Sequence, residues 1–189
     1  MADISKTPLE AELEIPVYMV SYADGPAAFR QNQKFLVYSA LNKGVSHFFN
    51  YNRKLLDPAF AEKHKDVLAL KKGAGYWLWK PRIILDTLNQ IPENSYMIYV
   101  DSGFVFLKNP KPLFDLLQKH DVVLAAYENR AFSQAGCTKK EALEKTGCTT
   151  EICRNAHAMY AGVILIKNTP VARNFVQKWL ALCEDKTWG

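Results

Sequence analysis

Apolar runs along this chain alternate with stretches of helical spacing. Val17-Tyr18-Met19-Val20-Ser21-Tyr22 reads as a first strand. Asp24-Gly25-Pro26 breaks it, and a helix follows to about Asn42, burying Phe29, Leu36, Val37, Ala40 and Leu41, with Gly44 suited to its cap. Residues 46–51 make a second short strand, Asp57-Pro58 opens a helix to about His64, and residues 67–70 read as a short strand. Pro81 begins a helix whose apolar face is Ile84, Leu85, Leu88 and Ile91. Strands are expected at 96–100, 104–107, 121–126 and 162–166, with a helix at 112–119. The segment 130–155 is polar and loop-rich, with one helix near 139–145. Pro170 starts a closing helix that carries Val171, Phe175, Val176, Trp179 and Leu180. This alternation predicts an α/β fold: a mostly parallel sheet flanked by helices, in a single domain over residues 15–189. No internal repeat is found.

The 189 residues are 49% hydrophobic, enough for one real core and little more. The longest apolar runs fall far short of the roughly 20 residues a membrane helix needs. Residues 1–14 carry Asp3, Glu10, Glu12 and Glu14 and no apolar centre, so they read as a polar surface arm and not as a signal peptide; a cytoplasmic location is expected. The net charge of +5 favours anionic ligands in general. No dense basic helix points to nucleic acid. Of the four cysteines, Cys137, Cys148, Cys153 and Cys183, none forms a CxxC pair, and free thiols are favoured over a disulfide.

Three clusters carry candidate chemistry. Asp101-Ser102-Gly103 follows the apolar run Tyr96-Met97-Ile98-Tyr99-Val100, so a carboxylate is delivered at the end of a buried strand, where α/β proteins bind ligands. It suits a divalent cation or a ribose hydroxyl; an Asx turn joining two strands explains the same residues equally well. In Gly73-Ala74-Gly75-Tyr76-Trp77-Leu78-Trp79-Lys80-Pro81, two glycines give a flexible approach, Pro81 marks a helix start, and Lys80 and Arg82 add positive charge beside it. Packing of the aromatics under the loop is the alternative. Tyr160-Ala161-Gly162 leaves room at the sheet edge, either for a ligand or for tight packing. None of the four histidines has metal-ligand spacing, and His157, near this third cluster, is the one singled out. The absence of GxSxG, P-loop and GxGxxG patterns removes serine hydrolases, P-loop kinases and Rossmann dehydrogenases.

Together these clusters resemble nucleotide-sugar glycosyltransferases of the GT-A fold. Tyr99-Val100-Asp101-Ser102-Gly103-Phe104-Val105 with Pro112-Leu113-Phe114 is similar to the glycogenin and lipopolysaccharide galactosyltransferase pattern, in which a strand ends in Asp-x-Asp. Tyr160 to Asn168 resembles that group's later Asn-Ala-Gly-Val strand. Closer still are capsular and surface polysaccharide transferases with GYWxWKP ahead of a Tyr-x-Asp-x-Gly strand, which this chain matches at residues 75–81 and 99–103. The resemblance covers about residues 17–179. It implies a nucleotide-diphosphate sugar donor and a glycan or other hydroxyl acceptor. Ser21, Tyr22 and Ala23 would hold base or ribose. Tyr76, Trp77, Lys80, Arg82, Ser102, Gly103, Ala161 and Gly162 would line the donor site, with Asp101 on ribose or on Mn2+ or Mg2+. Lys80 would act on the leaving group, and Glu128 is the candidate base. Gly103 stands where the family has its second metal-binding carboxylate, which leaves metal dependence open. Members of the group continue past Trp179 with further acidic or histidine residues, so this chain is expected to be either a trimmed piece of a longer one or a reduced member with an incomplete acceptor side. The rival reading is a non-catalytic nucleotide- or sugar-binding domain of the same fold.

Overall fold

A computed structural model describes residues 15–129 and 131–185; the expected arm, residues 1–14, lies outside them. The strands are β1 (Val17–Tyr22), β2 (His47–Tyr51), β3 (Tyr96–Val100), β4 (Val122–Ala126) and β5 (Met159–Lys167). The helices are α1 (Ala27–Ala40), α2 (Pro58–Lys63), α3 (Lys65–Leu68), α4 (Gly73–Tyr76), α5 (Trp79–Leu88), α6 (Lys111–Phe114), α7 (Gln134–Cys137), α8 (Lys140–Lys145), α9 (Glu151–Asn155) and α10 (Pro170–Glu184).

The strands form one sheet in the order β2-β1-β3-β5-β4. β1 is parallel to β2 and β3, while β5 runs antiparallel to both β3 and β4. Four strands therefore point one way, as the alternation predicts, and β5 opposes them. The consequence for the site is geometric: the end of β3 meets the start of β5, with Val100 opposite Val163 and the Asp101 amide bonded to the Gly162 carbonyl at 2.9 Å.

Side chains alternate across a strand, and this splits the core in two. Val20, Tyr22, Met97, Tyr99, Ile164 and Ile166 point to the side covered by α5 and α10. Val17, Met19, Ile98, Val100 and Leu165 point to the other side, packed with Leu36 and Ala40 of α1 and Phe114 and Leu117 of α6 and the 3-10 turn after it. Full burial of residues such as Ile83, Ile84 and Leu88 on α5 stabilises by about 1.5–3 kcal/mol each.

Several expectations are corrected. Residues 67–70 are not a strand: Lys65–Leu68 is helical, continuing the turn that Asp57 caps by accepting from the Phe60 amide. Residues 104–107 form no strand, because β1 and β5 already occupy both edges of β3; Phe104 and Phe106 pack against the core while Val105 and Leu107 face outward. The helix at Pro81 starts two residues earlier, at Trp79. Phe29 and Leu41 of the α1 region are exposed, not buried. Cys148 and Cys153 form a disulfide, against the expected free thiols, whereas Cys137 and Cys183 are free. The start of α9, capped by Thr150 through the Cys153 amide, turns the chain so that the two Cα atoms lie 5.4 Å apart.

Candidate functional site

A cavity of about 780 Å3 opens at the carboxyl ends of β1 and β3, the end of the sheet where α/β folds hold ligands. Its walls come from Tyr22 to Gly25 after β1, Phe29 of α1, Arg53 after β2, Trp77 and Trp79, and Asp101 to Gly103 after β3.

Lys80 does not line the cavity itself but is buried behind its wall, against Asp101. The α5 positions 80, 83, 84, 87 and 88 are all buried, a helical stripe that includes the lysine. Its ammonium donates to Asp101 Oδ1 at 3.1 Å and to the Ala161 carbonyl at 2.9 Å. It also lies 4.7 Å from the centre of the Tyr99 ring. Burial lowers the Lys80 pKa below the ordinary lysine range, and Asp101 partly opposes that shift. Tyr99 and Asp101 are two residues apart on an extended chain and so share a side of the sheet. The Tyr99 hydroxyl donates to the same Asp101 Oδ1 at 2.5 Å. Burial first, then the Asp101 charge, holds the Tyr99 phenol far above its ordinary range.

The aromatic wall is stacked. Tyr22 and Trp79 lie parallel with ring centres 3.8 Å apart. The Tyr22 hydroxyl is buried with no hydrogen-bond partner among the described residues, and burial, then Asp24, raises its pKa. Beside it Arg53 Nε donates to Asp24 at 2.8 Å, and its guanidinium also reaches the Leu68 carbonyl.

The glycine-rich stretch was expected to be a flexible approach and is instead a left-handed turn. Five consecutive residues, Gly73 to Trp77, have φ between +50° and +101°. Left-handed winding costs roughly 1–2 kcal/mol per non-glycine residue, so Ala74, Tyr76 and Trp77 are strained. Local bonds hold them: Tyr76 N to Lys72 O at 2.8 Å and Trp79 Nε1 to Gly73 O at 3.0 Å. Gly75 has no alternative, since a Cβ there would lie 2.7 Å from the Leu68 Cα.

The sequence candidates thus divide. Tyr22, Ala23, Trp77, Asp101, Ser102 and Gly103 line the cavity. Lys80 and Ala161 do not line it; Lys80 donates to Asp101 and to the Ala161 carbonyl from behind the wall, and Gly162 anchors Asp101 through the backbone. Ser21 is buried behind the wall, bonded to Asn50 and Gln33. Tyr76 points outward beneath Lys72. Arg82 pairs with Asp86 and Asp57 and stands over Phe60, away from the cavity wall. Glu128 is exposed in the bend after β4 and does not line the cavity. His157 donates from Nδ1 to the Tyr127 carbonyl at 2.6 Å.

Sequence reasoning missed Arg53, Asp24, Phe29 and the role of Tyr99. Only Tyr99 left a signal, its two-residue spacing from Asp101. As a donor set for Mn2+ or Mg2+, which prefer several oxygens, the cavity offers Asp101, whose Oδ1 already accepts from Lys80 and Tyr99, and Asp24, which is held by Arg53. The described residues bring no three His, Cys, Asp or Glu side chains together. The residues do not fit such a cation.

This is the fold of known glycosyltransferases. The chain superposes with a TM-score of 0.51 on the crystal structure of a glycosyltransferase involved in the glycosylation of the major capsid of PBCV-1, at 12% identity over 92% of this chain and 69% of that one. The apo structure of WbbM, a bifunctional glycosyltransferase, gives 0.53 and 14% over 92% of this chain, which spans 35% of that protein. No family model matches the sequence, and neither does a curated protein. At identities this low the likeness defines the fold, and donor and acceptor do not follow from it.

Proposed function

We propose that this protein transfers a sugar from a nucleotide-diphosphate donor to a hydroxyl of a glycan or similar acceptor, without a divalent cation. The observation that carries the reading is the pair of Lys80, a buried ammonium, with Asp101, which lines a cavity at the carboxyl end of the sheet. Glycosyl transfer leaves a nucleoside diphosphate whose negative charge must be stabilised, and preorganised charge in a water-poor site is usually the largest contribution to such a reaction. Lys80 directs two of its three N–H bonds at Asp101 and Ala161, which leaves one for a donor oxygen. Asp101 orients the lysine and offers its outer oxygen to a ribose or sugar hydroxyl. Tyr22, Trp79 and Trp77 supply an aromatic wall against which a base or sugar packs. Glu128, in the exposed bend after β4 and outside the cavity lining, is our candidate base for the acceptor hydroxyl.

The test is turnover. The purified chain is incubated with a panel of nucleotide-diphosphate sugars, with chelator or with manganese, and nucleoside diphosphate release is measured. Release that is equal in both conditions supports the reading. Strict manganese dependence overturns its metal-free part, and binding without release in either condition makes this a sugar-nucleotide binding domain.

A further inference from the structure

Residues 27–43 and 104–119 lie on one side of the sheet and hold six of the chain's lysines and arginines against one of its carboxylates. These two segments are neighbours in space. The Phe106 amide donates to Ser39 Oγ at 2.9 Å, Lys43 Nζ donates to the Ser39 and Phe106 carbonyls at 2.7 and 2.9 Å, and the Asn109 side chain packs at Gly44. Both rest on the core of Leu36, Ala40, Phe114 and Leu117.

The same segments are apolar on their outside. Phe35 is 55% exposed, Tyr38 68%, Val105 55% and Leu107 84%. Leu113 and Leu116 are exposed beside them, and Val105, Leu107 and Leu113 rim an apolar cavity of about 380 Å3 beneath the 104–110 loop. A soluble surface rarely gathers this much apolar area without an occupant.

We infer that this face seats the protein on an anionic lipid bilayer. Charge and apolarity together select that occupant. A second copy would oppose two faces carrying the same positive excess. A nucleic acid would take the lysines but leave Leu107, Leu113 and Leu116 in water. A bilayer with anionic headgroups satisfies both: aliphatic and aromatic side chains enter the headgroup–acyl boundary while Lys34, Lys108 and Lys119 meet lipid charge. Seating is peripheral, since no helix among the described residues is long and apolar enough to cross a membrane.

Flotation of the full chain with vesicles tests this, using phosphatidylcholine alone or mixed with phosphatidylserine. The expected result is partition onto the mixed vesicles only. Near 1 kcal/mol per surface cation, the triple variant K34E/K108E/K119E loses about 100-fold in partition or more. L107D also weakens partition, although its melting curve is unchanged because Leu107 is almost fully exposed. No binding to mixed vesicles, or equal binding to both kinds, overturns the inference. So does self-association in sedimentation velocity that L107D abolishes.

Discussion

Lys80 Nζ lies 3.1 Å from Asp101 Oδ1, although 21 residues separate them in sequence. The lysine comes from the first turn of α5 and the aspartate from the end of β3, so the pair ties the aromatic turn to the sheet. Lys80 is 4% exposed, and a buried charge persists only when paired and hydrogen-bonded. Tyr99 and the Ala161 carbonyl complete its shell.

If the ammonium stabilises the leaving diphosphate, Lys80→Met lowers kcat by about 10²–10³-fold, the usual loss on removing one preorganised electrostatic donor. Donor affinity changes far less. Lys80→Arg does not rescue, because a planar guanidinium cannot take the place of a compact ammonium buried between Asp101 and the Ala161 carbonyl. Steady-state kinetics with titration calorimetry of the donor checks both.

The pH profile follows from the same group. Burial lowers the Lys80 pKa in the folded protein. Turnover that needs the ammonium is therefore complete below that lowered value and is lost as pH rises through it, short of the ordinary lysine range. Stability moves the other way over this window, because the cost of burying the charge is relieved as the proton leaves. An alkaline limb in kcat with no loss of folded signal by circular dichroism is the expected outcome.

Asp101→Asn leaves Lys80 without its counter-charge. Hydrogen bonds to charged groups contribute about 1.5–3 kcal/mol, so urea unfolding is expected to show a loss of about that size. Turnover falls as well, since the lysine is no longer oriented.

The left-handed turn gives an independent prediction. Gly75→Ala puts a methyl 2.7 Å from the Leu68 Cα at φ +101°, where the backbone itself must move. Such positions cost roughly 1–3 kcal/mol. Thermal unfolding is expected to show that loss. Because Gly73, Ala74 and Trp77 line the cavity, KM for the donor is expected to rise with it. By contrast, Gly103→Ala meets nothing within 4 Å and leaves stability unchanged.

Peptide mapping without reductant is expected to return Cys148 and Cys153 as one linked peptide and Cys137 and Cys183 as free thiols. Reduction is expected to lower stability by about 2 kcal/mol, because even a short closed loop removes chain entropy from the unfolded state.

Much of this was legible in the sequence. The strand-end position of Asp101 followed from an apolar run that stops at Val100, and the five main strands followed from similar runs. Lys80 was legible as a candidate but not as a buried one, although it precedes Ile83 and Ile84 by three and four residues and so belongs to their stripe. The rest depended on tertiary contacts that no local pattern carries. Arg82 looked like a second cavity cation until Asp57 and Asp86 took it. Arg53 and Asp24 sit 29 residues apart and meet only because β2 pairs with β1. Residues 104–107 have a strand's composition but no neighbour left to pair with, since β5 occupies that edge of β3. The turn at Gly73–Trp77 violates the ordinary preference of three residues for right-handed backbone, and composition cannot announce that.

The most direct test compares wild type with Lys80→Met in excess chelator, following nucleoside diphosphate release from the sugar nucleotide that most stabilises the protein thermally. The account predicts that wild type turns over and that the variant binds the same donor but releases product about 10²–10³-fold more slowly. Equal release by both proteins, or binding by wild type with no release, would contradict it.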